Sequence, residues 1–302
     1  MSSYSEQTAR LWMAMNIGPL WIGRDEDDPL SPAAIAQDEP KPATITQTTA
    51  SEAKPPVAAQ TRPAVKRAPH EHAPLTSPES HREKTYELKP IRRVFADPGI
   101  VEVDSELLTQ AQNADWKTLE KIVSQCTACK ALSQSRLSTV FGTAEPSAKM
   151  VIVGEAPGRD EDLQGKPFVG KSGELLENIL HAIGLKRSID VAIINVLKCR
   201  PPNNRDPHDN EIAACATFLT RQLELLDPKV VVLSGRIASH ALLKTEESTG
   251  KLRGHVHSLT INGRSVPAIV TYHPSYLLRS PTEKIAAWRD FCAAKKILLD
   301  LV

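Results

Sequence analysis

Aromatic residues are scarce in this chain, at 4% of its 302 positions. A lone aromatic such as Phe168, set between Pro167 and Val169, therefore offers a flat face where few others exist. Cysteine is scarce too. Five are too few for a secreted disulfide scaffold of this size. An excess of charge is missing: the net charge of +1 gives no global sign of a nucleic-acid partner, although a local basic face stays open. No apolar run is long enough to span a membrane, and no internal repeat is visible. Large apolar residues are nearly absent from Pro29 to about Pro98, where 12 of the 23 prolines lie among Ala, Thr, Ser, Gln, Glu and Lys. Such a stretch cannot bury enough surface to offset its ordering entropy, so residues 29–104 read as a disordered linker.

Residues 1–28, ahead of that linker, carry one apolar patch with Trp12, Met13, Met15, Leu20 and Trp21. Glu6 stands where a signal peptide has basic residues, and Gly18-Pro19 break the run, so export is not the reading. A short amphipathic helix over Ala9–Ile17 suits a segment that docks on a protein partner, or one that packs back on its own domain.

Order is expected over residues 105–302, organised around Lys149–Gly173. Met150–Val153 reads as a buried strand. It runs into a loop with Gly158, Gly165, Gly170 and Gly173, whose glycines allow backbone to approach a ligand closely. A helix over Glu174–Leu185 follows. Further strands are expected at Val191–Leu197, Val230–Leu233 and Val266–Thr271. Asp206-Pro207 looks like the start of one helix, and Ser280-Pro281-Thr282-Glu283 like the capping box of the last, whose inner face would be Ile285, Trp288, Cys292 and Leu299. Strands alternating with helices imply a three-layer α/β/α fold around a four-stranded, mostly parallel sheet. Ligands of such sheets lie outside the carboxyl ends of the strands, which would gather Glu155, Phe168, Asn195 and His273 at one site.

Cys126 and Cys129 form a CxxC, a sign of metal, cluster or redox use in a reducing compartment. Cys199 follows a strand, and Cys215 lies on the next helix, which can fold back toward it. Spacing alone leaves zinc and an iron–sulfur cluster open. Cys292, on an apolar helix face, reads as core.

GEAPGRDEDLQGKPFVGKSG, NVLKCRPPNNRDP, KLRG and YHPSYLLR, in this order, resemble the family 4 uracil-DNA glycosylases from about residue 105 onward. The resemblance implies an enzyme of base excision repair that flips uracil out of single- or double-stranded DNA and hydrolyses its N-glycosidic bond, leaving an abasic site. It implies that Phe168 stacks on the flipped base, that Asn195 reads its edge and that His273 hydrogen-bonds O2 as the bond breaks. Gly154, Ala156 and Ser275 would complete the lining. Ala156 stands where the best-known uracil glycosylases carry an Asp, so Glu155 is the expected residue for positioning water or stabilising the sugar cation. Asp160, Glu161 and Asp162 nearby read instead as a solvated or structural turn. Leu277 or Leu278 would wedge into the gap left by the base, and Arg253, Arg279 and Lys251 would contact phosphate. Cys126, Cys129, Cys199 and Cys215 would hold a structural 4Fe-4S cluster, with zinc as the alternative. A monomer in the cytoplasm, associated with the nucleoid, is expected. Two other readings are a non-catalytic iron–sulfur DNA-binding module and a relative that crosslinks to DNA or removes another deaminated base. Crosslinking relatives carry an inserted basic loop with a histidine nucleophile; Arg200–Asp209 has no such insertion, and only His208 lies there.

Overall fold

The structure, a computed structural model, describes residues 105–301 apart from 146 and 147, together with the backbone of Thr85–Glu87. The N-terminal docking segment and all but three residues of the expected linker lie outside the described residues.

One sheet organises the fold. Its strands are β1 (Thr85–Glu87), β2 (Met150–Gly154), β3 (Val191–Asn195), β4 (Val230–Ser234), β5 (Val256–Ile261) and β6 (Arg264–Thr271). They lie in the order β1-β5-β6-β4-β2-β3. The four expected strands are the parallel core β3-β2-β4-β6. The sheet has six strands rather than four, because β5 pairs antiparallel with β6 and β1 pairs parallel with β5. β5, VHSLTI, is apolar only at alternate positions, so it lacks the continuous run that marks a buried parallel strand. Its signal was the turn. Asn262 and Gly263, with φ of 50° and 72°, form the two-residue left-handed hairpin loop that Asn-Gly favours. Thr85–Glu87, within the stretch expected as linker, pairs parallel with β5.

Ten helices flank the sheet or precede it among the described residues: α1 (Ser105–Asn113), α2 (Trp116–Gln125), α3 (Lys130–Ser135), α4 (Arg159–Gln164), α5 (Lys171–Ala182), α6 (Asp209–Leu226), α7 (Arg236–Leu243), α8 (Thr249–Leu252), α9 (Pro274–Arg279) and α10 (Lys284–Asp300). Alternate strand residues face opposite sides of the sheet. Val151 and Val153 pack with Leu219 and Leu223 of α6 and Leu242 of α7. Met150 and Ile152 pack with Ile179 of α5 and Phe291 of α10 on the other face. The three-layer arrangement expected from the alternation is therefore present.

Three helix details differ from the sequence reading. α6 begins at Asp209, with His208 as its cap, because Glu211 folds back to accept the His208 N–H at 2.9 Å. Asp206 is drawn away from capping by an ion pair with Arg236 at 2.6 Å. Ser280 makes no side-chain cap; a 3-10 turn over Pro281–Glu283 leads into α10. α10 also buries a different stripe, Ala287, Phe291, Ala294 and Leu298, leaving Leu299 exposed. Asp290 accounts for the rotation. It is 3% exposed and accepts from Arg253 Nε and Nη2 at 3.1 and 2.9 Å.

That pair also corrects the reading of Arg253 as a phosphate contact. Its guanidinium donates to Asp290 and to the Ala286 carbonyl and lies 5.2 Å from the centre of the Tyr272 ring. Burial pushes the Asp290 carboxyl up to about 6, with Arg253 pulling the other way. Removing one partner of such a pair leaves an uncompensated buried charge. Arg253→Ala should therefore destabilise the fold by about 3 kcal/mol in urea unfolding. The salt dependence of DNA binding should stay unchanged, since no phosphate contact is lost.

Candidate active site

The carboxyl ends of β2, β3, β4 and β6 open into a cavity of about 490 Å³. Its walls include Glu155, Ala156, Phe168, Asn195, His273 and Ser275. The topology thus brings together the residues selected by the strand-end rule.

Phe168 is held in an unusual backbone state, with φ of 51°, and its side chain is buried. A Cβ on Gly173 would lie 1.9 Å from the Phe168 carbonyl oxygen, so α5 approaches this loop at a distance only glycine permits. Arg187 secures the same turn, with Nη1 donating to the Phe168 carbonyl at 2.7 Å and Nη2 to that of Pro167. Nothing in the Lys186-Arg187-Ser188 loop marked this arginine in the sequence. Two of the three neighbouring acids are structural. Glu161 accepts from the N–H groups of Gly158, Val169 and Gly170, and buried Asp162 accepts from those of Leu137 and Ser138. Asp160 crowds Gly170 on the same loop.

Asn195 ends β3 at 2% exposure, and its Oδ1 has no hydrogen-bond partner. A buried acceptor without a donor is uncommon and costly. Gly154 lies beside it in the neighbouring strand. A Cβ there would meet Asn195 Oδ1 at 2.3 Å and the Phe168 ring at 2.8 Å. Gly154 is thus a spacer that lets amide and ring share one wall.

His273 caps α9. Its Nδ1 accepts from the backbone N–H of Ser275 at 3.2 Å and lies 2.8 Å from the Ser275 hydroxyl. A backbone N–H can only donate, so the neutral ring carries its proton on Nε2. Burial pushes its pKa down to about 4, and Arg279 adds to the shift. The ring centre is 5.3 Å from that of Phe168, with the planes 31° apart.

Glu155 is held above the usual carboxylate range by burial, with Asp206 reinforcing the shift and Arg236 opposing it. All three groups line the cavity. Arg279 is also at the wall, whereas Lys251 is exposed on α8 outside it. The two wedge residues separate. Leu277 is fully buried in the core beneath α9, and Leu278 is 42% exposed. One helical step of about 100° divides the faces, and only Leu278 is free to enter a gap.

Cys126, Cys129, Cys199 and Cys215 converge in one buried cluster with Phe141, Leu197 and Phe218. All are free thiols. Burial pushes the Cys129 thiol up to about 12, and the charges of Cys199 and Cys126 add to the shift. Arg136 donates to Cys199 Sγ at 2.7 Å. Among the described residues no three His, Cys, Asp or Glu side chains stand close enough to share one metal ion. Cys292 lies apart, half-buried on α10 against the core of the opposite face.

The profile of the uracil DNA glycosylase superfamily matches residues 141–293. The type-4 uracil-DNA glycosylase of Archaeoglobus fulgidus is 42% identical over 181 residues, which are 58% of this chain and 90% of that protein. The chain belongs to the uracil-DNA glycosylase superfamily. Type-4 uracil-DNA glycosylases of Saccharolobus solfataricus and Thermotoga maritima are 41% and 43% identical, over 58% and 54% of this chain and 83% of each relative. The superfamily match takes in the cavity lining, from Glu155 to Arg279, together with Cys199 and Cys215. Cys126 and Cys129 precede it.

The crowding at Gly154 gives a direct test of the wall. Gly154→Ala should destabilise the protein by about 1–3 kcal/mol in urea unfolding, as overpacking of a rigid site does.

Proposed function

We infer that the protein is a uracil-DNA glycosylase, a DNA repair enzyme that hydrolyses the bond between uracil and deoxyribose and leaves an abasic site. The observation that carries this reading is the unpartnered Oδ1 of Asn195, buried in one cavity with the Phe168 ring and the Nε2–H of His273. Uracil supplies what the wall lacks. Its N3–H can donate to Oδ1, its O4 can accept from the Asn195 Nδ2, and its flat face matches Phe168. Cytosine has an acceptor at N3 and a donor at N4, so it meets opposed groups.

A base inside a duplex cannot reach a cavity at the strand ends, so the nucleotide must swing out. Leu278, exposed beside Tyr276, suits the gap it leaves. Arg279 and Arg236 at the cavity wall suit phosphate, which fixes position without reading sequence. As the glycosidic bond breaks, negative charge gathers on uracil O2, where His273 Nε2–H donates; positive character grows on the sugar. Ionised Glu155 stabilises that cation and orients the attacking water, the task for which Ala156 has no group. Ser275 holds His273 in the required tautomer.

The four cysteines, brought together in one largely buried cluster, suit a 4Fe-4S cluster, with zinc as the alternative. When bound, the cluster supplies a crosslink between the α2–α3 segment, the end of β3 and α6; hydrolysis of an N-glycosidic bond transfers no electrons. Purified protein should contain iron and acid-labile sulfide in place of zinc, with visible absorption that Cys215→Ser abolishes together with thermal stability. A reducing compartment, the cytoplasm, suits such thiols, and a monomer suits a site built from one chain.

Single-turnover excision across pH, with binding to uracil-containing DNA, tests the residue roles. His273→Ala should slow excision by about 10²–10³ with little loss of binding, because its hydrogen bond strengthens as the base departs. Asn195→Asp should collapse uracil excision and raise residual cytosine excision relative to it. Glu155 works ionised and His273 works neutral, so both lose their working form as pH falls, Glu155 first. The wild-type rate should be level near neutrality and fall on the acid side. Glu155→Gln should be slower throughout and keep only a lower limb near pH 4. A His273→Ala protein that cuts at the wild-type rate would remove the histidine from the reaction.

A further inference from the structure

Lys198 is the largest fully buried side chain among the described residues, at 1% exposure. A buried ammonium carries a heavy desolvation cost and persists only where specific partners compensate it. This one is walled off from solvent and lies outside the cavity lining, so it neither touches the base nor meets DNA. Its Nζ donates to the backbone carbonyl of Asn195 at 2.5 Å.

The surroundings explain why that carbonyl needs a partner. β3 is the last strand of the sheet order, paired along its length by β2 and bridged on its other side by Thr143 at Ile193, and Asn195 is its last residue. Beyond it the chain still follows β2, with Val196 and Leu197 donating to the carbonyls of Gly154 and Glu155, both at 3.0 Å. It then bends into the cysteine seat. The Lys198 carbonyl accepts from Val140 N–H at 2.8 Å, its own N–H faces the Cys215 sulfur, and the next residue is Cys199, held by Arg136. Five residues therefore join the base-facing amide to two of the four thiols. Lys198 folds back along this strap and closes it on itself.

We propose that Lys198 is a positioning residue, whose Nζ locks the Asn195 peptide against the cysteine seat and so keeps the Asn195 amide aimed at the base. The inference rests on the reading of Asn195 as the residue that recognises uracil. Thr143 ties the chain at Ile193 and Val140 ties it at Lys198; between these points Nζ holds the Asn195 carbonyl, and without it that peptide can tilt and carry the amide with it. A small misplacement at a reacting site is enough to lower rate by about 10²-fold. Base choice suffers as well, because an amide out of line no longer opposes cytosine.

The test is a double-mutant cycle on the cluster-loaded protein, with single-turnover excision of uracil and of cytosine, cluster absorption and melting temperature as readouts. Lys198→Met keeps the length of the apolar stem and removes the donor. It should retain the absorption spectrum, lose about 10- to 100-fold in uracil excision, and show a lower uracil-to-cytosine ratio. Asn195→Ala should lose more, and Lys198→Met should subtract nothing further in that background, since the lysine acts through the asparagine. Lys198→Gln, which keeps a shorter donor, is carried through the same cycle and should retain more rate than Lys198→Met; it serves alone if the latter does not fold. Losses that simply add, a rate unchanged by Lys198→Met, or loss of absorption in step with rate in both variants would overturn the proposal. An Asn195→Ala protein with undiminished excision would instead show that the reading of Asn195 had failed.

Discussion

The structure depends on a shortage of space at the end of β2. No atom beyond hydrogen fits at Gly154, because Asn195 Oδ1 stands on one side and the Phe168 ring on the other. This contact sets the spacing of strand end and loop and brings a buried amide and a flat apolar face into one wall. The loop must then return tightly enough to place Phe168, and two further constraints serve that return. Gly173 admits α5 against the Phe168 carbonyl, and Arg187 draws the same carbonyl back. Backbone strain at Phe168, with its positive φ, is thus held by packing on one side and a cation on the other.

Acidic residues in the loop after β2 divide by environment rather than by sequence distance. Glu161 and Asp162 spend their oxygens on backbone N–H groups, which orders a glycine-rich segment that would otherwise have few fixed contacts. Glu155 keeps its carboxylate at the cavity wall, under burial and the repulsion of Asp206. Carboxylates within seven positions therefore differ in what they meet: two tie down backbone, and one faces the cavity. The distinction follows from which oxygens already have donors.

Much of this was legible in the chain. The parallel core was readable because strands buried on both faces are written as unbroken apolar runs, and the site followed because ligands of such sheets lie at the strand ends. β5 was not, since a half-exposed antiparallel strand alternates and shares its pattern with ordinary loop sequence. The function of Arg253 was hidden because its partner, Asp290, lies 37 residues away on another helix. That one distant pair also turned α10, so the face inferred from the helix alone was wrong by part of a turn. Leu277 and Leu278 show the same limit at smaller scale. Both are leucines in one short motif, and only the docking of α9 on the core decides which is exposed. Local pattern names the element; long-range pairing decides its rotation.

On the function proposed for the site, a neutral histidine at the cavity matches what hydrolysis needs at O2. Imidazolium would attract any electron-rich base in the ground state, binding uracil before reaction nearly as strongly as during it. Only the part of an interaction that grows toward the transition state accelerates the step. A neutral Nε2–H interacts modestly with a carbonyl oxygen and more strongly with the same atom once it carries negative charge. The cavity enforces neutrality twice. Burial disfavours the charged ring, and the Ser275 N–H occupies the lone pair that a second proton would need. Arg279 disfavours the second proton further, by charge repulsion. On that reading, the burial that keeps the His273 ring neutral holds it in the one state whose hydrogen bond is worth more to the departing base than to the bound one.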